Sequence, residues 1–582
     1  MNNTKKVLLF LLNCDIINKD LGVFMSKIKF FGLGGLGENG KNMFVCEVDE
    51  RIFVLDAGLK YPSVDLYGID TILPDFQYLR ENKNRIQGVF LSHGHEDHIG
   101  AIPEFLKEFN VNVFGTHFTI SIVEDALQEA GLNIKNYHLY RINQDKKLSF
   151  GDVTVQFYNV SHSIPESINI AICTKDGAIV FAPDFCLDTN TDKRYQTSYA
   201  KINEIAKNGV LALAPESLGT SNINRAPNNI AFDHEMIDAL QKNQRLIVSV
   251  YSTDLDRIQR IINLSVEHNR RVAILGIKTQ KIVNIAINCG YLKVPENKLV
   301  NLKFIDDTHH NDDKDLVVIV AGNRHEPFFM LLRMCKHLDR LIQITNKDLV
   351  YLVTPPMNGT EKIANSTLDL LARSGATVVN LKKNILKSSH ADSEDLKMLY
   401  SMLNPKYIIP IVGEFRHQYQ QKQIILDAGY SEERTIMLDN GDVAYFENGS
   451  YKGKIEKVSV GDVLVDGSIV GDINEVVMKD RELLAQEGVV IVAIVIESNT
   501  RTIISGPEIV FKGFSIHDSD TELMEELKDM IAENVYSFMY KKYINWDKAQ
   551  DNLREKIINF IKKQMNKNPI VMVTINDINI KQ

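Results

Sequence analysis

The stretch Leu91-Ser-His93-Gly-His95-Glu-Asp97-His98-Ile-Gly100 places three histidines and an aspartate within six residues. An apolar run, residues 86–92, comes before it and an amphipathic run, residues 101–109, comes after it. The cluster is therefore expected at a turn from a strand to a helix. Imidazoles packed this closely gain nothing from the spacing unless a cation unites them. H-x-H-x-D-H thus predicts a loop that serves two metal ions, with His93 and His95 directed to one side and Asp97 and His98 to the other.

Two residues farther along the chain complete the expected metal site. His162 follows the apolar run 153–160, and Asp184 follows the apolar run 178–182. A lone histidine at a strand end is more often a satisfied polar residue than a ligand, and a single H-x-H can be a solvated turn. The order of these elements along the chain favours metal ligands over both alternatives.

Asp56 ends the apolar run 52–55, where a carboxylate is costly unless it has hydrogen-bond partners. Its predicted role is to orient the metal ligands from behind, without touching the ions itself. A cap of the turn that follows, Asp56-Ala-Gly58, is the alternative.

Apolar patterns along the chain predict how it is divided. Strand patterns with helices outside them extend over residues 27–215 and resume at 386–453, which predicts one sandwich of sheets interrupted by an insert. Residues 216–385 alternate buried strands with helices, as in a doubly wound α/β domain. Residues 454–582 are expected to form a C-terminal α+β domain.

Within these domains, some elements are less regular in pattern. Residues 407–412 and 469–478 are interpreted as strands, and residues 521–564 as strongly helical. Residues 1–26 are expected to be an extension, with translation starting at Met25. The apolar run 7–12 is shorter than the ~7 to 15 residues of a secretory signal core and far below the ~20 of a spanning helix, so no membrane partner is expected.

Composition limits the function without deciding it. With a net charge of −9 and a pI near 6.0, the chain could bind nucleic acid only through a local basic cleft. The six cysteines are scattered and include no C-x-x-C pair, which indicates a reducing compartment and a cytoplasmic protein.

The ordered set Asp56, H-x-H-x-D-H, His162 and Asp184 resembles that of the metallo-β-lactamase superfamily. The opening Gly34-Gly-Leu-Gly37-Glu-Asn-Gly40-Lys-Asn is similar to the one that ribonuclease J carries. The resemblance implies a metallo-β-lactamase αββα sandwich with an inserted β-CASP domain. It also implies two Zn²⁺ ions per chain, with Mn²⁺ as the alternative: His93, His95 and His162 would hold one ion, Asp97 and His98 the other, and Asp184 would bridge them.

β-CASP nucleases have three hallmark positions, and the resemblance assigns each of them to a residue of this chain. The acidic one falls at Glu216, expected behind the ligands, and the histidine falls at His390, expected to act in catalysis with Asp97, His98 and Asp184. The third falls at Val412, where RNA-cutting members generally have a histidine ligand, so the second Zn²⁺ is expected to bind more weakly. The expected substrate-binding loop is Leu386, Lys387, Ser388, Ser389 and His390, in which Ser389 replaces a glycine of the family and narrows the phosphate pocket.

Other positions depart from the family as well. Arg324 and His325 stand where small residues are usual, and Asp254 and Asp256 put acids beside the expected phosphate path. The primary hypothesis is a ribonuclease that hydrolyses RNA phosphodiesters, as a 5′-to-3′ exonuclease and an endonuclease, in rRNA processing and mRNA decay. The alternative is a weakly active paralogue that binds RNA or assembles with another ribonuclease J, and either protein would be a homodimer or a heterodimer. A small-molecule metallohydrolase is a third possibility, against which the large insert argues.

Overall fold

The computed structural model describes residues 26–62, 66–188, 192–221, 228–300, 313–356, 359–471, 473–513, 521–541 and 545–578. Except for Ser26, the expected extension lies outside these residues. The chain divides into two compact units, of which the first contains the residues up to Tyr61 and from Ile72 to Val463. The second contains Pro62–Thr71 and the residues from Leu464 onward. None of the described helices is both long and apolar enough to cross a membrane.

The strands up to residue 460 are β1 (Lys27–Gly34), β2 (Met43–Val48), β3 (Arg51–Leu55), β4 (Thr71–Pro74), β5 (Ile86–Phe90), β6 (Val113–Gly115), β7 (Leu139–Arg141), β8 (Lys147–Phe150), β9 (Val153–Asn159), β10 (Ile168–Thr174), β11 (Gly177–Ala182), β12 (Val210–Pro215), β13 (Arg245–Tyr251), β14 (Arg271–Leu275), β15 (Leu316–Gly322), β16 (Asp348–Leu352), β17 (Thr377–Asn380), β18 (Tyr407–Ile408), β19 (Asp442–Glu447) and β20 (Ser450–Lys457).

The helices of the same part are α1 (Gln77–Glu81), α2 (Glu96–Ile99), α3 (Ile102–Glu108), α4 (His117–Glu129), α5 (Tyr199–Ala206), α6 (Ile230–Leu240), α7 (Leu255–Glu267), α8 (Ile277–Asn288), α9 (Glu326–Cys335), α10 (Glu361–Arg373), α11 (Ser393–Leu403) and α12 (Phe415–Asp427). Short 3-10 turns occur at Lys83–Arg85, Ile134–Asn136, Lys193–Tyr195, Leu218–Ser221, Lys383–Ile385 and Glu432–Arg434.

Two sheets pack face to face in the first unit. One has the strand order β20-β19-β1-β2-β3-β5-β6-β7 and the other β18-β12-β11-β10-β9-β8. Aromatic side chains from the two sheets meet between them: the ring centroids of Phe44 and Phe181 lie 5.3 Å apart, and those of Phe90 and Phe157 lie 6.5 Å apart. Helices α5 and α11 cover the outer face of the second sheet. The αββα sandwich expected from the sequence is confirmed.

The insert is a parallel five-stranded sheet with the order β14-β15-β13-β16-β17. Neighbouring residues of its central strand β13 are buried on opposite faces. Val248 packs with residues of α6 and α7, while Ile247 packs with residues of α9 and α10. A sheet covered on both faces by helices is the doubly wound arrangement that the buried apolar strands predicted.

The chain returns to the sandwich through β18, which is shorter than expected. The strand predicted over residues 407–412 ends after Ile408. Pro410 has no N–H to donate to a neighbouring strand, and Val412 adopts φ +49°, outside the extended region.

The second unit contains a three-stranded sheet with two long helices packed on one face. Its order is β24-β23-β25, and alternate residues of β23, from Val490 to Ile496, are buried against the two long helices. These elements are β23 (Val489–Glu497), β24 (Thr502–Lys512), β25 (Ile570–Asp577), α14 (Thr521–Met539) and α15 (Trp546–Met565), preceded by β21 (Asp462–Asp466), β22 (Ile469–Val470) and α13 (Glu475–Gln486).

The strand predicted over residues 469–478 is wrong in its second half. Among the described residues of this range, the strand covers Ile469–Val470, and α13 begins at Glu475. The side-chain oxygen of Asn474 accepts a hydrogen bond from the backbone N–H of Val477 at 3.0 Å, which caps the helix. Val476 and Val477 are exposed on this helix, so their β-branched side chains did not indicate a buried strand.

Candidate metal centre

The strands of both sheets deliver the predicted residues to one edge of the sandwich. β3 and β5 are parallel, and Asp56 and the H-x-H-x-D-H loop follow their carboxyl ends. In the second sheet, β9 and β11 are both antiparallel to β10 and therefore run in the same direction. His162 and Asp184 follow the ends of β9 and β11. The fold thus explains why residues so far apart in sequence converge.

The first cluster consists of His93, His95, His162 and Asp184. Nδ1 of His95 lies 3.0 Å from Nε2 of His93 and 3.2 Å from Nε2 of His162. Oδ2 of Asp184 lies 3.4 Å from Nε2 of His93 and 3.6 Å from Nε2 of His162. Four donor atoms within 4.8 Å of one another match the ligand set of a tetrahedral cation.

The second cluster consists of Asp97, His98 and the same Asp184. Nε2 of His98 lies 3.6 Å from Oδ2 of Asp97 and 3.5 Å from Oδ2 of Asp184. Oδ1 of Asp184 is buried and has no hydrogen-bond partner among the residues that the structure describes. A buried carboxylate oxygen without a donor is costly, and cations beside it would remove that cost. The residues therefore fit two metal positions that share Asp184.

Hydrogen bonds behind the clusters fix the orientation of two histidine rings. Asp56 is fully buried, and its Oδ2 lies 2.7 Å from Nδ1 of His98 and accepts a hydrogen bond from the hydroxyl of Ser92 at 2.7 Å. The Ser92 hydroxyl in turn lies 2.9 Å from Nδ1 of His93. Both rings therefore present Nε2 to the cluster interior. The orienting role expected of Asp56 stays a prediction, and these contacts place its carboxylate where such a role needs it.

His162 is oriented by the loop that follows the insert. Its Nδ1 donates to the backbone carbonyl of Ser389 at 2.9 Å, since a carbonyl can only accept. Nε2 of His162 is therefore unprotonated and directed to the first cluster. The backbone of Ser389, rather than its side chain, makes this contact.

Sequence reasoning missed Asn42 and Ser92 as members of the site. Nδ2 of Asn42 lies 3.3 Å from Oδ2 of Asp97 and 3.0 Å from Nε2 of His98. Asn42 belongs to the glycine-rich opening, and its spacing from the metal loop is set by backbone contact. A Cβ on Gly58 would lie 1.6 Å from the backbone oxygen of Asp97, so this close approach requires glycine. Ser92 precedes the first histidine directly, but a serine there is not informative in sequence.

Burial and mutual repulsion keep the three histidines of the first cluster neutral. Desolvation lowers the pKa of His93 and also lowers the pKa of His95 to about 3 and that of His162 to about 4. Burial also works against a charge on His98, but the carboxylates of Asp97, Asp184 and Asp56 outweigh it and raise its pKa well above the usual value. Burial disfavours a charge on Asp184 too, yet the cations around it, His98 first, hold its pKa well below the ordinary range.

A third cluster joins Asp184, Glu216 and His390. Nδ1 of His390 lies 2.8 Å from Oε2 of Glu216, whose Oε1 accepts hydrogen bonds from the backbone N–H of Phe185 at 2.8 Å and of Ala391 at 3.1 Å. Desolvation lowers the pKa of His390, but the charges of Glu216 and Asp184 outweigh it and raise the value to about 9. His390 is therefore a cation at neutral pH, about one-third exposed beside the metal clusters.

The remaining residues of the predicted substrate-binding loop lie in different surroundings. The Lys387 ammonium forms an ion pair with the Asp188 carboxylate, and both side chains are nearly buried. The Ser388 hydroxyl accepts a hydrogen bond from the backbone N–H of His390 at 3.1 Å. Leu386 is buried in the apolar core of the insert, so the structure does not bring its side chain to the metal clusters.

Val412 lies in the apolar core between the sheets and belongs to none of the three ligand clusters. Its backbone N–H donates to the carbonyl of Gly35 at 3.0 Å, and its carbonyl accepts from the hydroxyl of Ser217 at 2.8 Å. These bonds hold a valine at φ +49°, a conformation that β-branched residues rarely adopt. An aliphatic side chain here leaves the second cluster with three ligand residues.

The sandwich, its insert and the His/Asp clusters define a metallohydrolase of the metallo-β-lactamase class. Four family models match the chain: "Beta-lactamase superfamily domain" over residues 53–203, "Ribonuclease J, beta-CASP domain" over 243–371, "Zn-dependent metallo-hydrolase RNA specificity domain" over 378–435 and "Ribonuclease J C-terminal domain" over 476–578.

Curated relatives cover almost the whole chain. It is 33% identical over 553 residues to "Ribonuclease J 2" of Staphylococcus aureus, an alignment that covers 95% of this chain and 98% of the relative. It is 34% identical over 557 residues to "Ribonuclease J 2" of Staphylococcus epidermidis, with the same coverage of each chain. The chain therefore belongs to the ribonuclease J family.

A solved structure adds information on the fold alone. The "Crystal Structure of a Protein of Unknown Function from Enterococcus faecalis V583" superposes with a TM-score of 0.50 at 16% identity and covers 72% of this chain and 100% of its own.

Proposed function

We propose that this chain hydrolyses RNA phosphodiester bonds with two divalent cations, Zn²⁺ in both positions or Mn²⁺ in its place. The single observation that carries the proposal is that Asp184 is shared between a His93/His95/His162 cluster and an Asp97/His98 cluster. A shared carboxylate would hold two cations close together, and such a pair would stabilise the charge that develops during hydrolysis of a diester. Bound cations supply charge neutralisation to the phosphate and acidify the attacking water.

His390 has a role of its own in this proposal. Its Nδ1 is bound to Glu216, so the proton on Nε2 is the one available to substrate. A protonated imidazole beside Asp184 can donate to a phosphate oxygen or protonate the leaving 3′ oxygen. His390 therefore acts from the loop that follows the insert, while the metal ligands come from the strand ends of the sandwich.

The insert favours a polymer over a small substrate. The loop directly after it brings Ser389 and His390 to the metal clusters, and the family match to an RNA specificity domain covers this loop. We infer 5′-to-3′ exonuclease and endonuclease cleavage in rRNA processing and mRNA decay, which the family membership supports. Cys46, Cys173, Cys289 and Cys335 form no disulfide bond, in keeping with action in the reducing cytoplasm.

A weakly active paralogue is the second candidate, and two observations favour it. Valine at position 412 cannot serve as a fourth metal ligand for the second cluster. The positive charge of Lys387 is already neutralised by Asp188. Such a chain would bind RNA or assemble with a more active ribonuclease J. Under either candidate function, the chain would form a homodimer or a heterodimer. An exposed apolar row across the three paired strands of the second unit supports this: Ile491, Val510 and Met572.

Cleavage of a 5′-monophosphorylated RNA by the purified chain in Zn²⁺ or Mn²⁺ tests the proposal. The control is the double variant Asp97→Ala, His98→Ala, whose fold is checked by circular dichroism. Cleavage by the parent chain alone supports the ribonuclease. Inactivity of both proteins, with activity that appears only after a second ribonuclease J chain is added, would contradict it in favour of the assembly subunit.

A further inference from the structure

The insert holds the metal-binding loops of the sandwich through two glutamates. Glu96 lies between His95 and Asp97, and its Oε2 accepts a hydrogen bond from Nδ2 of Asn323 in the insert at 3.0 Å. Glu166 lies four residues after His162, and its Oε1 accepts a hydrogen bond from the hydroxyl of Tyr291, also in the insert. We refer to these as the Glu96 contact and the Glu166 contact.

The Glu96 contact is rigid on the side of the insert. Oδ1 of Asn323 accepts from the hydroxyl of Ser252 at 2.6 Å, and its backbone N–H donates to Glu326 at 2.7 Å. Ser252 follows β13 and Asn323 follows β15, two adjacent strands of the parallel sheet. Because the tyrosine hydroxyl of Tyr61 also donates to Glu96, the carboxylate is held from both sides. Any shift of the insert sheet therefore pulls on the loop that carries His95 and Asp97.

The Glu166 contact acts in the same way on the other ligand loop. Oε2 of Glu166 accepts from the backbone N–H of Phe118 at 2.9 Å, and the Phe118 ring packs edge-on against Tyr291 at 5.5 Å. Glu166 adopts φ +59°, a left-handed conformation that is unfavourable for a non-glycine residue. Its two hydrogen bonds hold the loop after His162 in this conformation. Without them the loop would relax, and His162 would move with it.

Backbone groups of the insert also contact the same two loops. Nε2 of His95 lies 3.3 Å from the carbonyl of Thr253, and the backbone N–H of Asp256 donates to the carbonyl of Ser163 at 3.2 Å. Thr253 and Asp256 lie at the start of α7, beside Ser252. The insert therefore contacts each ligand loop through one of its side chains and one of its backbone groups.

We propose that Glu96 and Glu166 are positioning residues through which the insert sets the separation of His95 and His162, and hence the affinity of the first metal position. Thermodynamic reciprocity then requires that metal binding stabilises the docking of the insert by the same factor. Metal occupancy and docking of the insert on the ligand loops are thus coupled. The inference rests on the metal positions of the proposed function, but it does not depend on RNA cleavage.

The test measures zinc affinity of the full chain by competition with a chromophoric chelator. The variants Tyr291→Phe and Asn323→Ala each remove one contact and leave the ligands in place. Each should weaken zinc binding about five-fold, the size of one buried hydrogen bond, and the double variant about 25-fold. Tyr251→Phe is the matched control, since its hydroxyl donates at 2.6 Å to the carbonyl of Pro355 inside the insert, and its affinity should equal that of the parent.

Hydrogen exchange gives a second readout without any catalysis. Zinc should slow amide exchange in peptides that cover the insert segments around Ser252 and Asn323 in the parent chain, and this protection should be lost in the double variant. The inference is overturned if the double variant binds zinc within two-fold of the parent, if Tyr251→Phe weakens binding equally, or if the parent binds no zinc. A parent that binds zinc as expected and cleaves no RNA contradicts the proposed function alone.

Discussion

Oε2 of Glu216 lies 2.8 Å from Nδ1 of His390, and together they join the second sheet of the sandwich to the loop that leaves the insert. Glu216 is fully buried at the end of β12, while His390 is about one-third exposed. A buried carboxylate needs a partner, and the imidazolium supplies it. The consequence is a histidine that keeps its proton at the pH of the cell, next to Asp184.

Replacement of this carboxylate should change the pH dependence of cleavage. In Glu216→Gln the amide still accepts from Phe185 and Ala391, but the pKa of His390 should fall from about 9 toward its ordinary value near 6.5. If cleavage needs protonated His390, the variant should keep its activity below the lowered pKa of His390 and lose it above that pKa. We expect cleavage at pH 8 to fall about ten-fold or more, with most of it regained at pH 6.

A pH–rate profile and the NMR titration of the His390 ring check this expectation. Glu432→Gln is the control, because Glu432 pairs with Lys422 at the surface. An unchanged alkaline limb in Glu216→Gln would show that the charge of His390 is not used.

The two metal positions should differ in affinity. The first has three histidines and Asp184, whereas the second has Asp97, His98 and the shared Asp184. Chelator titration should therefore reveal one tight and one weak zinc ion per chain, separated by at least about ten-fold. Asp97→Asn should remove the weak ion only. Two ions of equal affinity would contradict the interpretation of Val412 as a missing ligand.

Zinc binding at the two positions should also depend differently on pH. His95 and His162, with pKa values of about 3 and about 4, are neutral above about pH 5, so a cation has no added proton to displace from them. Zinc affinity at the first position should therefore not change with pH above about pH 5. The pKa of His98 is raised, so a cation at the second position must displace its proton, and that affinity should increase as pH rises. Calorimetry in buffers of different ionisation enthalpy measures the protons released. Proton release with the tight ion would refute this assignment.

Much of the fold and the ligand set could be predicted from the sequence, for a physical reason. Strand ends that carry His162 and Asp184 are recognisable because a polar residue interrupts an apolar run, and parallel strands bring such ends to one edge. The helix at Glu475–Gln486 was missed because its exposed valines imitate a strand, and only the cap at Asn474 identifies it.

The contacts between the insert and the ligand loops could not be predicted. Glu96 and Asn323 are 227 residues apart, and Glu166 and Tyr291 are 125 apart. Local sequence does not mark any of these four residues as a contact, because a glutamate next to histidines is usually a solvated charge. Their pairing follows from how the insert packs on the sandwich, which no local pattern encodes.

The ion pair of Lys387 and Asp188 predicts that the chain can be made to bind RNA more tightly. Both side chains are nearly buried, so the lysine charge is cancelled inside the protein before a phosphate arrives. In Asp188→Asn that charge becomes available to the RNA backbone, while the unpaired cation lowers the stability of the free protein. We expect a lower Kd for RNA, a salt dependence steeper by about one unit in log–log slope, and a reduced Tm that RNA restores.

Asp152→Asn, which removes the exposed partner of Arg51, is the control and should change none of these. If Asp188→Asn lowered the Tm without any gain in RNA affinity, Lys387 would be a structural cation and not part of the phosphate path.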